Sequence, residues 1–124
     1  MRPNNVAVLE YKHAYGPHHG QIAESDYRLV FRIPLYELTA KTDAEVISYL
    51  LTESRSPGWH AQSRAPIKHG DIILIPREEQ AEGVGKAWMV CRSSPHLPRH
   101  SLMFEQWPSC AARLVDINLK EFTI

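Results

Sequence analysis

The stretch Pro66-Ile67-Lys68-His69-Gly70-Asp71-Ile72-Ile73-Leu74-Ile75-Pro76 limits what this chain can fold into more than any other. Four consecutive aliphatic residues, three of them β-branched, follow a Gly-Asp pair, and prolines close the segment at both ends. An apolar run this short and this β-branched reads as a strand buried on both faces, and such a strand belongs in the interior of a sheet. Gly70 is free to take a positive φ, and the Asp71 carboxylate is placed to bond neighbouring backbone amides, so the pair reads as the turn that feeds the strand. Asp71 as a cation ligand or a general base is the alternative reading of the same residue.

The rest of the chain supplies partners for that strand. Val6 to Tyr11 has strand propensity, with Val6 and Val8 on one face. Tyr27, Leu29, Phe31 and Ile33 alternate with Arg28, Val30 and Arg32, the period of a half-buried strand, and Pro34 ends it. Thr42 opens a helix through Glu53: its hydroxyl and the Glu45 carboxylate have the spacing of a capping box, Asp43 suits the positive end of the dipole, and Val46, Ile47, Leu50 and Leu51 form one apolar stripe. Ser56-Pro57-Gly58 is expected to stop it and release a connection from Trp59 to Lys68. Lys86 to Arg92 reads as an antiparallel mate of the central strand across a charged hairpin loop, Leu102 to Trp107 as a short strand ended by Pro108, and Val115, Ile117 and Leu119 as a half-buried strand near the C-terminus. The expectation is an α+β fold, a mostly antiparallel sheet of about five strands with one main helix on one face.

At 124 residues this is expected to be a single domain, residues 1–124. Fourteen basic residues balance fourteen acidic ones, which argues against a simple polyanion binder and leaves any such attraction to a local patch. No apolar run is long enough to span a membrane and the N-terminal residues lack a signal-peptide core, so no membrane partner and a cytoplasmic location are expected, with Cys91 and Cys110 as reduced thiols.

A resemblance becomes visible along Tyr27-Arg28-Leu29-Val30, the helix from Thr42 through Leu50, Pro57-Gly58-Trp59, Ser63 and the Pro66 to Leu74 run. This order resembles the YodL-like domains of mobile genetic elements, over roughly residues Tyr27 to Cys91. Where those domains carry Ser-Leu-Ser before the Gly-Asp pair, this chain has Ala65-Pro66-Ile67-Lys68. The family has no catalytic motif to transfer; the resemblance implies an accessory or host-modulating factor.

Chemistry-bearing constellations are sparse. Cys91, His96, His100 and Cys110 are all zinc-compatible, or could pair a thiol with a histidine base, but each cysteine stands alone rather than in a Cys-x-x-Cys pair, and Cys91 lies in an apolar strand where a core thiol is routine. No metal and no cofactor are therefore expected. His18-His19, with His13 nearby, reads as a solvated turn. No Walker loop, dinucleotide fingerprint or nucleophile elbow occurs.

Arg28 and Arg32, read as sharing a strand face, together with Trp59, His60, Arg64 and Lys68 in the connection, form the candidate binding surface, with Arg55 close by. Arginine and aromatic side chains are those that most often dominate binding energy. Trp59 as a lid folded onto the core is the competing reading. The leading function is a non-enzymatic module that binds a protein partner. A nucleic-acid-binding domain using the same arginines and tryptophan is the alternative, and a metal-dependent or Cys-His enzyme comes third.

Overall fold

The computed structural model describes residues 5–11, 27–34, 41–61, 66–75 and 85–117. They form eight elements: β1 (Asn5–Tyr11), β2 (Tyr27–Pro34), α1 (Asp43–Glu53), α2 (Pro57–Ala61), β3 (Ile72–Leu74), β4 (Gly85–Arg92), β5 (Leu102–Met103) and β6 (Cys110–Ile117). The six strands make one sheet in the order β2-β1-β3-β4-β6-β5. Every neighbouring pair is antiparallel. This is the α+β arrangement expected from the sequence, with one strand more than the expected five.

β3 lies in the interior of the sheet and is apolar on both faces. Ile73 and Ile75 belong to a cluster with Val6, Val8, Trp88, Val90 and the α1 residues Val46, Ile47, Leu50 and Leu51. Ile72 and Leu74, one pleat out of phase, belong to a second cluster with Ala7, Leu9, Tyr27, Ala87, Met89 and Ile117. β1 buries both of its faces in the same way. Each such aliphatic side chain stabilises the fold by about 1.5–3 kcal/mol relative to exposure.

The N-terminus of α1 is built as its spacing implies. The Glu45 amide donates to Thr42 Oγ1 at 3.2 Å, and the Thr42 amide donates to Glu45 Oε1 at 3.0 Å. These bonds favour the ionised carboxyl, and the Glu45 pKa lies below its usual value. Ser54 caps the other end, its amide donating to the Leu50 carbonyl at 2.9 Å.

Three expectations are corrected. The chain does not simply run on as a connection after Ser56: Pro57 starts α2, with the Trp59 amide donating to Ser56 Oγ at 3.3 Å. Pro is at home in the first turn of a helix, where its missing N–H is not needed. Nor does Leu102 to Trp107 form one strand. β5 stops at Met103, and the Trp107 amide donates to the Phe104 carbonyl at 3.0 Å to close a turn. Finally, β6 begins at Cys110 rather than near Val115, because Ala111 and Ala112, with little strand propensity of their own, are small enough to lie buried between β4 and β5. Leu119, the loop bearing His18 and His19, and the connection between β3 and β4 lie outside the described residues.

Candidate functional site

The turn leading into β3 organises one end of the molecule. Gly70 has φ +95°, a conformation that side chains rarely tolerate. Its amide donates to the Val90 carbonyl at 2.7 Å, and the Val90 amide donates to the Asp71 carbonyl at 2.9 Å, which fixes the turn against β4. Asp71 is only 3% exposed. Its Oδ2 accepts from the Lys68 amide at 2.9 Å and its Oδ1 from Lys68 Nζ at 3.1 Å. Burial pushes the Asp71 carboxyl above its ordinary value in spite of Lys68. A carboxylate so placed closes a turn, and it is shut away from any substrate. Lys68 Nζ also meets Glu10 Oε1 of β1 at 3.4 Å, so its charge is already shared between two carboxylates.

A cleft of about 460 Å³ opens beside this turn, on the sheet face that carries α1. Leu51, Ile67 and Val90 give it apolar walls, Lys68 and His69 come from the turn, and Trp107 to Cys110 close the far side. Arg55, just past the end of α1, lies over the Trp107 ring with its guanidinium carbon 3.7 Å from the centroid. Trp107 also packs against the α1-side cluster, and its indole N–H is buried without a hydrogen-bond partner, so packing and Arg55 hold the ring. Partial burial and the positive charge of Arg92 hold the His69 imidazole below its ordinary pKa.

The described residues place only some of those singled out from the sequence. Lys68 reaches the cleft. Trp59 does not: it is 3% exposed, in keeping with the lid rather than the surface reading. His60 falls on α2 and its side chain is outside the described residues, as is the whole of Arg64. The Arg28 side chain is outside the described residues, but the backbone register does not put positions 28 and 32 on one face. The β1–β2 register slips by one residue between Val8 and Leu9, so that position 28 stands opposite Glu10 and position 32 opposite Ala7. Glu10 and Ala7 are an odd number of residues apart on a regular strand and point to opposite faces, and directly opposed positions share a face. The bulge breaks the period of two on which their common face depended.

The four zinc-compatible residues are likewise spread out. Cys91 stands opposite Ala111 and Cys110 opposite Arg92, which sets the two thiols on opposite faces of the sheet. His96 and His100 are exposed in the loop that follows β4. No group of three or more metal-ligating side chains occurs among the described residues. Burial raises the pKa of both thiols, the wrong direction for a nucleophile.

What sequence reasoning missed is the pairing of Arg55 with Trp107. They lie far apart in the chain, and only the turn from Phe104 to Cys110 brings the ring back to the end of α1. The one signal available is Trp107 standing next to a proline, which marks a tight turn with an aromatic residue at its edge.

No family model, curated protein or solved structure matches the chain. No helix among the described residues is long and apolar enough to cross a membrane.

Proposed function

We propose that this chain is a small non-enzymatic interaction module that binds a protein partner through the cleft between α1, the Lys68–Asp71 turn and the Trp107–Cys110 turn. The observation that carries the reading is the cleft's make-up: apolar walls edged by an arginine whose guanidinium carbon lies 3.7 Å from the centre of a tryptophan ring. Aromatic and arginine side chains in a partly desolvated hollow are the usual anchors of protein interfaces. The guanidinium is held in place before any partner arrives, so little side-chain freedom is lost on binding. A stacked nucleobase would need an open ring face, and Arg55 already covers one face of Trp107. The resemblance to YodL-like domains supplies the setting, an accessory or host-modulating factor of a mobile element. A cytoplasmic location belongs to the same proposal and rests on the two free thiols, Cys91 and Cys110.

A photo-crosslinking side chain placed at Ser109, an exposed residue of the cleft wall, tests this in cells that carry the chain naturally. The same group at Arg32, on the strand at the other edge of the sheet, is the control. A discrete protein adduct from position 109 and none from position 32 is expected. Adducts with nucleic acid from position 109 would move the reading to the nucleic-acid class, and equal protein adducts from both positions would remove the cleft from the argument.

A further inference from the structure

We infer that the cleft takes an acidic peptide segment bearing a bulky apolar side chain, an inference that rests on the interaction-module reading and names the partner's chemistry. The charges around the cleft make the choice. Lys68 is already neutralised by Glu10 and Asp71. Arg55 and Arg92 are different: among the described residues neither has a carboxylate partner. Arg55 is exposed while its guanidinium carbon lies 3.7 Å from the centre of the Trp107 ring, and an accessible guanidinium can receive a carboxylate by two parallel hydrogen bonds. Arg92 stands opposite Cys110, a lining residue, and is close enough to His69 to depress its basicity. Arg55 thus lines, and Arg92 adjoins through Cys110, a hollow whose apolar walls are Leu51, Ile67, Val90 and Pro108.

A ligand that suits both features carries negative charge next to an apolar side chain, which a peptide supplies and a phosphodiester backbone does not. A second hollow, between the start of α1 and the Met103–Gln106 turn, has about 610 Å³ but places Lys41 beside Glu45 and Glu105, so its rim carries both signs and selects neither.

The test is selection of a random peptide display library on the intact protein, with the Arg55→Glu variant as the counter-target. The expected result is enrichment of peptides in which Asp or Glu adjoins Leu, Ile, Phe or Trp. Replacing their acids by the amides should weaken binding about tenfold or more, since hydrogen bonds to charged groups are worth ~1.5–3 kcal/mol. Ser109→Trp, which fills the mouth, should remove binding. Arg92→Glu serves as the second charge variant where Arg55→Glu lowers the melting temperature. Enriched peptides without acids, or acidic peptides that bind the Arg55→Glu and Arg92→Glu variants as well as the parent, overturn the inference while leaving the cleft as a binding site. Displacement of the peptides by an oligothymidylate with a steep salt dependence overturns it in favour of nucleic acid. No enrichment at all overturns it too, and crosslinking at Ser109 then decides separately whether the module reading survives.

Discussion

The indole nitrogen of Trp88 donates to Asp43 Oδ2 at 2.8 Å, joining the centre of the sheet to the first turn of the helix across 45 residues of sequence. Trp88 is almost wholly buried, so the bond satisfies a donor that water does not reach freely. Asp43 at the same time supplies negative charge where the helix dipole favours it.

Removing the carboxylate should therefore be costly. Asp43→Ala leaves the indole N–H unpaired and is expected to lower stability by ~1–3 kcal/mol in urea unfolding. Asp43→Asn keeps an acceptor and should cost less. In a Trp88→Phe background the Asp43→Ala cost should shrink, giving a coupling energy of roughly 0.5–3 kcal/mol; additive effects would mean that the bond contributes nothing.

Much of the fold was legible because local chemistry and global placement agree. The Thr42–Glu45 capping box, the stripe from Val46 to Leu51 and the twice-buried β3 all follow from spacing alone. The failures share a cause as well. The bulge opposite Val8 and Leu9, the burial of Ala111 and Ala112, and the meeting of Arg55 with Trp107 are decided by neighbours distant in sequence, which periodicity does not encode. The candidate site was legible only in part, at Lys68 and at Arg55 close by, while Cys110, singled out as a metal ligand, lines the cleft instead. Trp59 shows why: a tryptophan following a helix stop fits a surface anchor and a buried lid equally well, and it was the unforeseen α2 that turned it inward.

Two glycines offer a matched comparison. A Cβ at Gly70 would meet nothing within 4 Å, so Gly70→Ala suffers only from its φ of +95° and should cost about 1–2 kcal/mol. A Cβ at Gly58 in α2 would sit 3.9 Å from Ser56 Oγ, an ordinary contact. Gly58→Ala should then be neutral or stabilising by up to ~1 kcal/mol, because alanine favours the helix. Thermal melts of the two variants check the contrast, and equal effects would mean that the turn before β3 does not hold the left-handed conformation.

Asp71 and Glu45 should affect acid stability with opposite signs. The folded protein holds a proton on Asp71 at pH values where the unfolded chain, with its ordinary pKa of 3.8, has released it. The contribution of Asp71 is therefore fullest below that value and is lost as pH rises through the raised one. Glu45, lowered from 4.5 by its bonds to Thr42, contributes above that value and loses the contribution as pH falls through the folded pKa. Unfolding free energies between neutral pH and pH ~3 should show the parent gaining on Asp71→Asn as the solution is acidified and losing its advantage over Glu45→Gln. A reversed trend for Asp71→Asn would mean that Lys68 outweighs burial in setting the charge of the turn.

The last prediction separates what Arg55 does for the fold from what it does for binding. Its side chain is exposed and its one contact of note is with the Trp107 ring, so Arg55→Ala should lower stability by no more than ~1 kcal/mol, the usual worth of a cation–π pair at the surface. Arg55→Lys keeps the charge but gives up the planar fork, and it should melt close to the parent while failing to restore capture of an acidic peptide. Lysine would rescue binding in full if the cleft needed only positive charge, and the bidentate geometry assigned to the guanidinium would then be wrong. A large drop in melting temperature for Arg55→Ala would instead make the stack a structural strut that fastens the Phe104–Cys110 turn to the end of α1. With a small change in melting and a large loss of capture, the arginine is held over the tryptophan for the sake of what binds beside it.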